Sequence, residues 1–255
     1  MLQQFKRTAL SWELRRARRF CFGSNEQQLA ERDFYASIIP QGQGSIIDVG
    51  ANAGAKTEIF QHFAKRVVAI EPDPASAETL RRRFRWRYGV TVCQCAITSA
   101  SGSTLFYQFE PGSAFNTADS EWVKSMTDGS NHMHLRLPQP KEMRVPARTI
   151  AEIEAEFGPI KYLKVDAEGH EEKVLSTLNQ SIPLVSLEFN FPQMHGALAG
   201  CVRRIETLGA YRFNAVISEP PVKFELTQWL SGVEIIAAIK SLGWGYSELF
   251  ARTIE

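Results

Sequence analysis

The sequence predicts an α/β protein: a mostly parallel sheet with helices on both faces and an antiparallel last strand. Three observations predict it. From residue 45 onward, short apolar runs alternate with amphipathic stretches. Alternation of that kind builds a parallel sheet covered on both faces. Two final strand-like runs, "YRFNAVI" and "WGYSELFAR", are separated by the amphipathic segment "LTQWLSGVEIIAAIKSLG" and depart from the regular alternation. That suits a last strand running antiparallel at or near the edge. The composition, 44% hydrophobic and 22% charged over 255 residues, is that of an ordinary globular chain with enough core for such a sheet.

The elements follow in order. "SIIDVG" reads as a buried strand and "AKTEIFQHFA" as a helix with Ile59, Phe60 and Phe63 on one side. "RVVAIE" is the second strand. "PASAETLRRRFRWRY" is a helix with Pro74 near its first turn, where a missing N–H costs little. In it Leu80, Phe84 and Tyr88 are expected to point inward while the arginines stay solvated, which disfavours an RNA-binding reading of this basic run. "VTVCQCAI" is the third strand, with Cys93 and Cys95 on one face, and "STLFYQF" a shorter fourth. Residues 110–143 are rich in Gly, Ser, Asn, His and Pro and read as an insertion or lid. Its Phe115, Trp122 and Met126 are expected to pack on an apolar or sugar face of an acceptor. "TIAEIEAEFG" is a helix ended by Gly158-Pro159, followed by the strand "IKYLKVD", the helix "EEKVLSTL", the strand "PLVSLEFN" and the helix "ALAGCVRRIETLG". The expected division is a basic helical extension over 1–40 and one domain over 41–255.

Charge and targeting signals bound the function. The formal net charge is +1, which gives no global attraction to nucleic acid. The four cysteines form no C-x-x-C pair, so free thiols are expected rather than zinc. No apolar run approaches about 18 residues, the length that crosses a bilayer. The N-terminal "MLQQFKRTALSWELRRARRFCF" lacks the apolar core of a signal peptide, so a cytoplasmic protein is expected. That basic segment reads as a helix packed on the domain. It also suits peripheral contact with an anionic membrane. The oligomeric state is not legible.

The first strand runs into "DVGANAG", and ligands of open α/β sheets bind beyond the carboxyl ends of the strands. Gly50 permits a tight turn and Gly54 a close backbone approach. Asn52 stands where the dinucleotide fingerprint needs its middle glycine, which disfavours an NAD-dependent dehydrogenase. A carboxylate at Asp48 repels a diphosphate and attracts a cation. Glu71-Pro72 ends the second strand, 23 residues after Asp48, where an acid commonly accepts ribose hydroxyls. The implied ligand has a ribose, a positive or zwitterionic arm and no pyrophosphate, as S-adenosylmethionine does. Ala96 and Ile97, after the third strand, are placed to contact its adenine. Ala51 and Thr57 join Asp48, Gly50, Asn52, Gly54, Glu71, Pro72, Ala96, Ile97 and Asp166 as cofactor-binding candidates.

These stretches, "IIDVGANAGAKT", "VVAIEPDP", "CAITSASG", "VPARTI", "YLKVDAEGHEEKVL" and "LEFN", resemble the FkbM-type methyltransferases and span residues 46–190 in order. The resemblance implies a Rossmann-like class I methyltransferase fold with a seven-stranded sheet. It also implies binding roles for Asp48, Gly50, Asn52 and Glu71, and O-methylation of a hydroxyl on a small molecule or glycan. Such proteins often carry Thr-Leu-Asp after the Val-Pro segment. Here the residues are Thr149, Ile150 and Ala151, with an acid only at Glu152. RNA or protein methylation, or a non-catalytic S-adenosylmethionine-binding module, are the alternatives.

Methyl transfer needs a nucleophile held about 3 Å from the methyl carbon and in line with the breaking bond. An aliphatic hydroxyl also needs a base or a metal ion. Asp166, Glu168 and His170 follow the fourth main parallel strand and are the catalytic candidates. Glu171 and Glu172 read as complements to a helix N-terminus. Glu188, Asn190 and His195 are acceptor-side candidates. Asp166, Glu168, Glu188 and Asn190 offer oxygens to Mg²⁺ or Ca²⁺, but spacing alone does not favour a divalent metal over direct contact with acceptor hydroxyls. His132 and His134 form an H-x-H in a polar loop and read as incidental.

Overall fold

The computed structural model describes residues 25–131, 133–190, 195–242 and 246–254. Most of the basic extension and His132 therefore lie outside the described residues, as do the side chains of Asn190 and His195. Helix α1 (Asn25–Ile38) leads to β1 (Ser45–Val49), α2 (Ala55–Phe60), β2 (Val67–Ile70), α3 (Pro74–Phe84) and β3 (Val90–Cys93). Next come β4 (Ala96–Ile97), β5 (Gly102–Gln108), α4 (Ser120–Asp128), β6 (Lys141–Arg148) and α5 (Ile150–Phe157). Then follow β7 (Ile160–Val165), α6 (Glu171–Leu175), β8 (Leu184–Asn190), α7 (His195–Glu206), β9 (Tyr211–Val216), α8 (Gly232–Leu242) and β10 (Tyr246–Thr253).

Seven strands form one sheet in the order β3-β2-β1-β7-β8-β10-β9. As the alternation predicts, it is mostly parallel, and β10 enters antiparallel between β8 and β9. Strands β1, β2 and β7 are buried at every position. That is the mark of strands covered on both faces. Side chains alternate between the faces. Ile46, Tyr162, Leu184 and Phe250 meet Tyr35 and Phe34 of α1 on one face. Ile47, Val49, Leu163, Val165 and Leu187 meet the α5–α8 layer on the other.

Two elements differ from the sequence reading. The fourth expected strand, β5, leaves the main sheet. It pairs antiparallel with β6, which pairs parallel with β4, in a separate three-stranded sheet. The expected 110–143 lid contains α4, N-capped by Asp119, whose carboxylate accepts the backbone N–H groups of Glu121 and Trp122. Phe115, Trp122 and Met126 are buried with Leu135 in that segment's own core, so they do not face an acceptor. Tyr88, expected inside, is fully exposed, because α3 ends at Phe84 and the chain turns outward. Cys95 lies beyond the end of β3.

The register brings the strand ends level. Val49 is opposite Ile70 on one side and Val165 on the other. Gly50, Glu71 and Asp166 therefore emerge side by side. At Gly50, φ is 76°, and an added Cβ would sit 1.8 Å from the Asp166 carbonyl oxygen. Only glycine allows this crossing of two loops. Helix α5 opens with a capping box between Thr149 and Glu152, so the displaced acid closes a helix end.

Candidate active site

A cleft opens beyond the carboxyl ends of β1, β2 and β7. One side of it is built by Asn52, whose backbone is left-handed at φ 47°, a conformation asparagine tolerates. The turn aims the Asn52 N–H at Glu71 Oε2, 2.8 Å away, while the Asp73 N–H reaches Oε1 at 2.8 Å. Each Glu71 oxygen keeps a lone pair for another donor. Burial pushes the Glu71 carboxyl up to about 7, against the two amides that favour its charge. Pro72, Ala96, Ile97 and Phe106 supply apolar walls.

Asp73 joins this wall to the insertion. Its carboxylate caps α3 through the N–H groups of Ala75 and Ser76. It also accepts from Gln108 Nε2 at 2.6 Å, Asn116 Nδ2 at 3.1 Å and the Gly112 N–H at 3.1 Å. Asn116 and Thr117 thereby line the cleft.

The segment "DAEGHEE" forms the opposite wall. Asp166 and Glu168 line the cleft, and their carboxylates lie with that of Glu188 within 4.8 Å of one another. Glu168 has φ 49°, a strained conformation for a residue other than glycine. Two groups impose it. The Thr117 hydroxyl donates to the Glu168 carbonyl at 2.9 Å. The Glu171 carboxylate folds back to accept the N–H groups of Ala167 at 2.9 Å and Gly169 at 3.1 Å. Glu171 is thus buried and shapes the loop, rather than merely complementing a helix end from solvent. Burial raises its carboxyl to about 7.

His170 also lines the cleft and is 4% exposed, with neither ring nitrogen hydrogen-bonded among the described residues. Burial, with help from Lys173, pulls its pKa down to about 4. At neutral pH the ring is uncharged. It is a weaker base than the ordinary histidine that the sequence suggested.

Other expected site residues take places behind the cleft lining. Asp48 is fully buried and accepts from the Thr57 hydroxyl at 2.6 Å. Gly54 gives its space to α3, where an added Cβ would meet Phe84 and Leu80, and Ala51 packs on the same two side chains. Lys164, which the sequence reading passed over, is 4% exposed and joins Asp48 to Asp166. Its Nζ donates to Asp166 Oδ2 at 3.1 Å and lies 3.9 Å from Asp48 Oδ1. Burial opposes its charge, yet the carboxylates of Asp166, Asp48, Glu248 and Glu188 outweigh that and raise its pKa. The available signal was a lysine inside a mostly apolar strand, spaced two from an aspartate, so that both face the same side.

Residues 48–213 match the methyltransferase FkbM domain. The chain belongs to this family. It is therefore a methyltransferase, with S-adenosylmethionine as donor. Among solved structures, the FkbM-family chain is similar to a TehB-like SAM-dependent methyltransferase from Corynebacterium glutamicum. They share 12% identity over 96% of this chain and 97% of that one, with a TM-score of 0.47. It is also similar to an O-methyltransferase from Bacillus cereus, at 12% identity, 90% and 82% coverage and a TM-score of 0.41. A third is an rRNA methylase from Streptococcus thermophilus, at 10% identity, 88% and 94% coverage and a TM-score of 0.41. Likeness at this level carries no argument about acceptor or mechanism. No curated protein matches the chain.

Proposed function

We propose that this FkbM-family methyltransferase methylates a hydroxyl on an uncharged small molecule or glycan. The observation that carries the reading is the charge of the cleft lining. It holds the carboxylates of Glu71, Asp166 and Glu168, the neutral ring of His170 and, among the described residues, no lysine or arginine. Such walls attract a sulfonium and repel phosphate, which disfavours RNA and phosphorylated acceptors. A panel of sugars and hydroxylated metabolites with labelled donor is expected to show turnover, with none on RNA or protein. Turnover on RNA alone sinks the reading.

The donor fits the residues present. Glu71 offers free lone pairs to ribose hydroxyls, and Ala96, Ile97 and Phe106 offer apolar surface to a base. Asp166 presents a carboxylate to a cationic arm. When bound, S-adenosylmethionine supplies an electrophilic methyl group. The protein's part is to orient the acceptor and take its proton. Asp166 already accepts from Lys164. His170 is held neutral and is suited to hydrogen-bond a hydroxyl. Glu168, fixed in a strained loop on the cleft wall, takes the proton. Asp48, Gly54 and Thr57 serve the site by positioning its floor.

Glu71 makes donor binding depend on pH. Ribose hydroxyls favour the carboxylate, while the unliganded pocket holds the group near pKa 7. Binding therefore releases a proton, and affinity rises as pH passes through about 7. S-Adenosylhomocysteine is expected to bind roughly tenfold more weakly at pH 6 than at pH 8, with proton release visible by calorimetry in two buffers. Equal affinity at both values refutes the role given to Glu71.

A further inference from the structure

We infer that the turn between α3 and β3 docks the protein on an acidic phospholipid surface. Trp86 is 71% exposed and Tyr88 fully exposed, among the largest apolar side chains left in water. The exposed Arg85 and Arg87 alternate with them, and Arg85 lies 4.5 Å from the centre of the Trp86 ring. The exposed Lys65 and Arg66 precede the neighbouring strand, whose Val67 N–H bonds the Gly89 carbonyl at 2.8 Å. No carboxylate occurs between Thr79 and Gly89. Glu78, just before, is shared by Arg81 and Arg82, which leaves Arg85 and Arg87 outside that pairing.

The chemistry and the position both favour a lipid headgroup layer. Tryptophan and tyrosine prefer the interface, where the ring is buried and its polar edge stays wet. Arginine and lysine beside them add attraction to anionic headgroups. The turn lies at the amino ends of β2 and β3, opposite the cleft, so a protein seated here keeps its active site facing water. A nucleic acid serving as substrate has to reach that cleft, whose lining carries no lysine or arginine among the described residues.

The test is sedimentation of the full chain with vesicles of phosphatidylcholine alone and with about 30% phosphatidylserine, at low salt. Preferential sedimentation with the acidic vesicles is expected. Each removed arginine is expected to weaken it roughly fivefold, so R85E/R87E abolishes it. W86A/Y88A, which leaves the charge unchanged, is expected to weaken it several-fold. Both variants are expected to keep the wild-type melting temperature and S-adenosylhomocysteine affinity, since the turn is exposed and far from the cleft. Equal sedimentation with neutral vesicles overturns the inference, as does unaltered sedimentation of either variant. So does tighter binding of a short single-stranded RNA that the same variants lose, or a wild-type dimer that either variant dissolves.

Discussion

Glu168→Gln is expected to lower kcat by about 10²- to 10⁴-fold while S-adenosylhomocysteine affinity stays within about twofold, because general-base catalysis contributes on that order. Glutamine keeps the shape and the hydrogen-bonding reach and removes only the proton-accepting charge. Replacement by glycine separates this role from a structural one. At φ 49°, glycine is unstrained where glutamate is not, so Glu168→Gly is expected to raise stability by up to about 1 kcal/mol. A variant that melts higher yet turns over far more slowly is the signature of strain held for function. A glycine variant with full turnover removes Glu168 from the mechanism and leaves Asp166 as the remaining carboxylate on that wall.

The same loop shows where the sequence was legible. The parallel sheet could be read because β1, β2 and β7 are mostly apolar runs, buried at every position and bounded by helices of a different period. The strand-end residues followed from that, since Gly50, Glu71 and Asp166 each end such a run. Strand β6 was not legible. "KEMRVPAR" alternates exposed and covered positions and contains Pro146, which belongs to edge positions or irregular pairing. Its partner β5 reads as a strand, but its place in a second sheet is set only by tertiary pairing. Helix α4 is short and set in polar sequence, and its buried Trp122 and Met126 looked like ligand contacts because nothing nearby announced a second small core. Glu171 reads locally as a helix-end acid. Its burial, and its grip on Ala167 and Gly169, arise from a reversed loop that no spacing rule encodes.

Lys164→Met is expected to cost about 3–5 kcal/mol, the loss seen when one partner of a buried ion pair is removed. Asp48 and Asp166 would then face each other across a dry space without the ammonium that lies 3.9 Å from one and 3.1 Å from the other. For a chain of this length the melting temperature is expected to fall by roughly 10 °C. Methionine matches the lysine stem, so lost packing contributes little and lost charge dominates. Neutralising one of the stranded carboxylates supplies the decisive comparison. With Asp166→Asn added, the double variant is expected to be more stable than the sum of the two single losses, by about 1–3 kcal/mol of coupling. Donor binding separates the two anions. Asp166 lines the cleft and Asp48 does not, so Lys164→Met/Asp48→Asn, with Asp166 left charged, is expected to bind S-adenosylhomocysteine better than the Asp166→Asn double variant. Additive losses in the cycle overturn the ion-pair account, because a lysine that touched neither carboxylate energetically would leave nothing to recover.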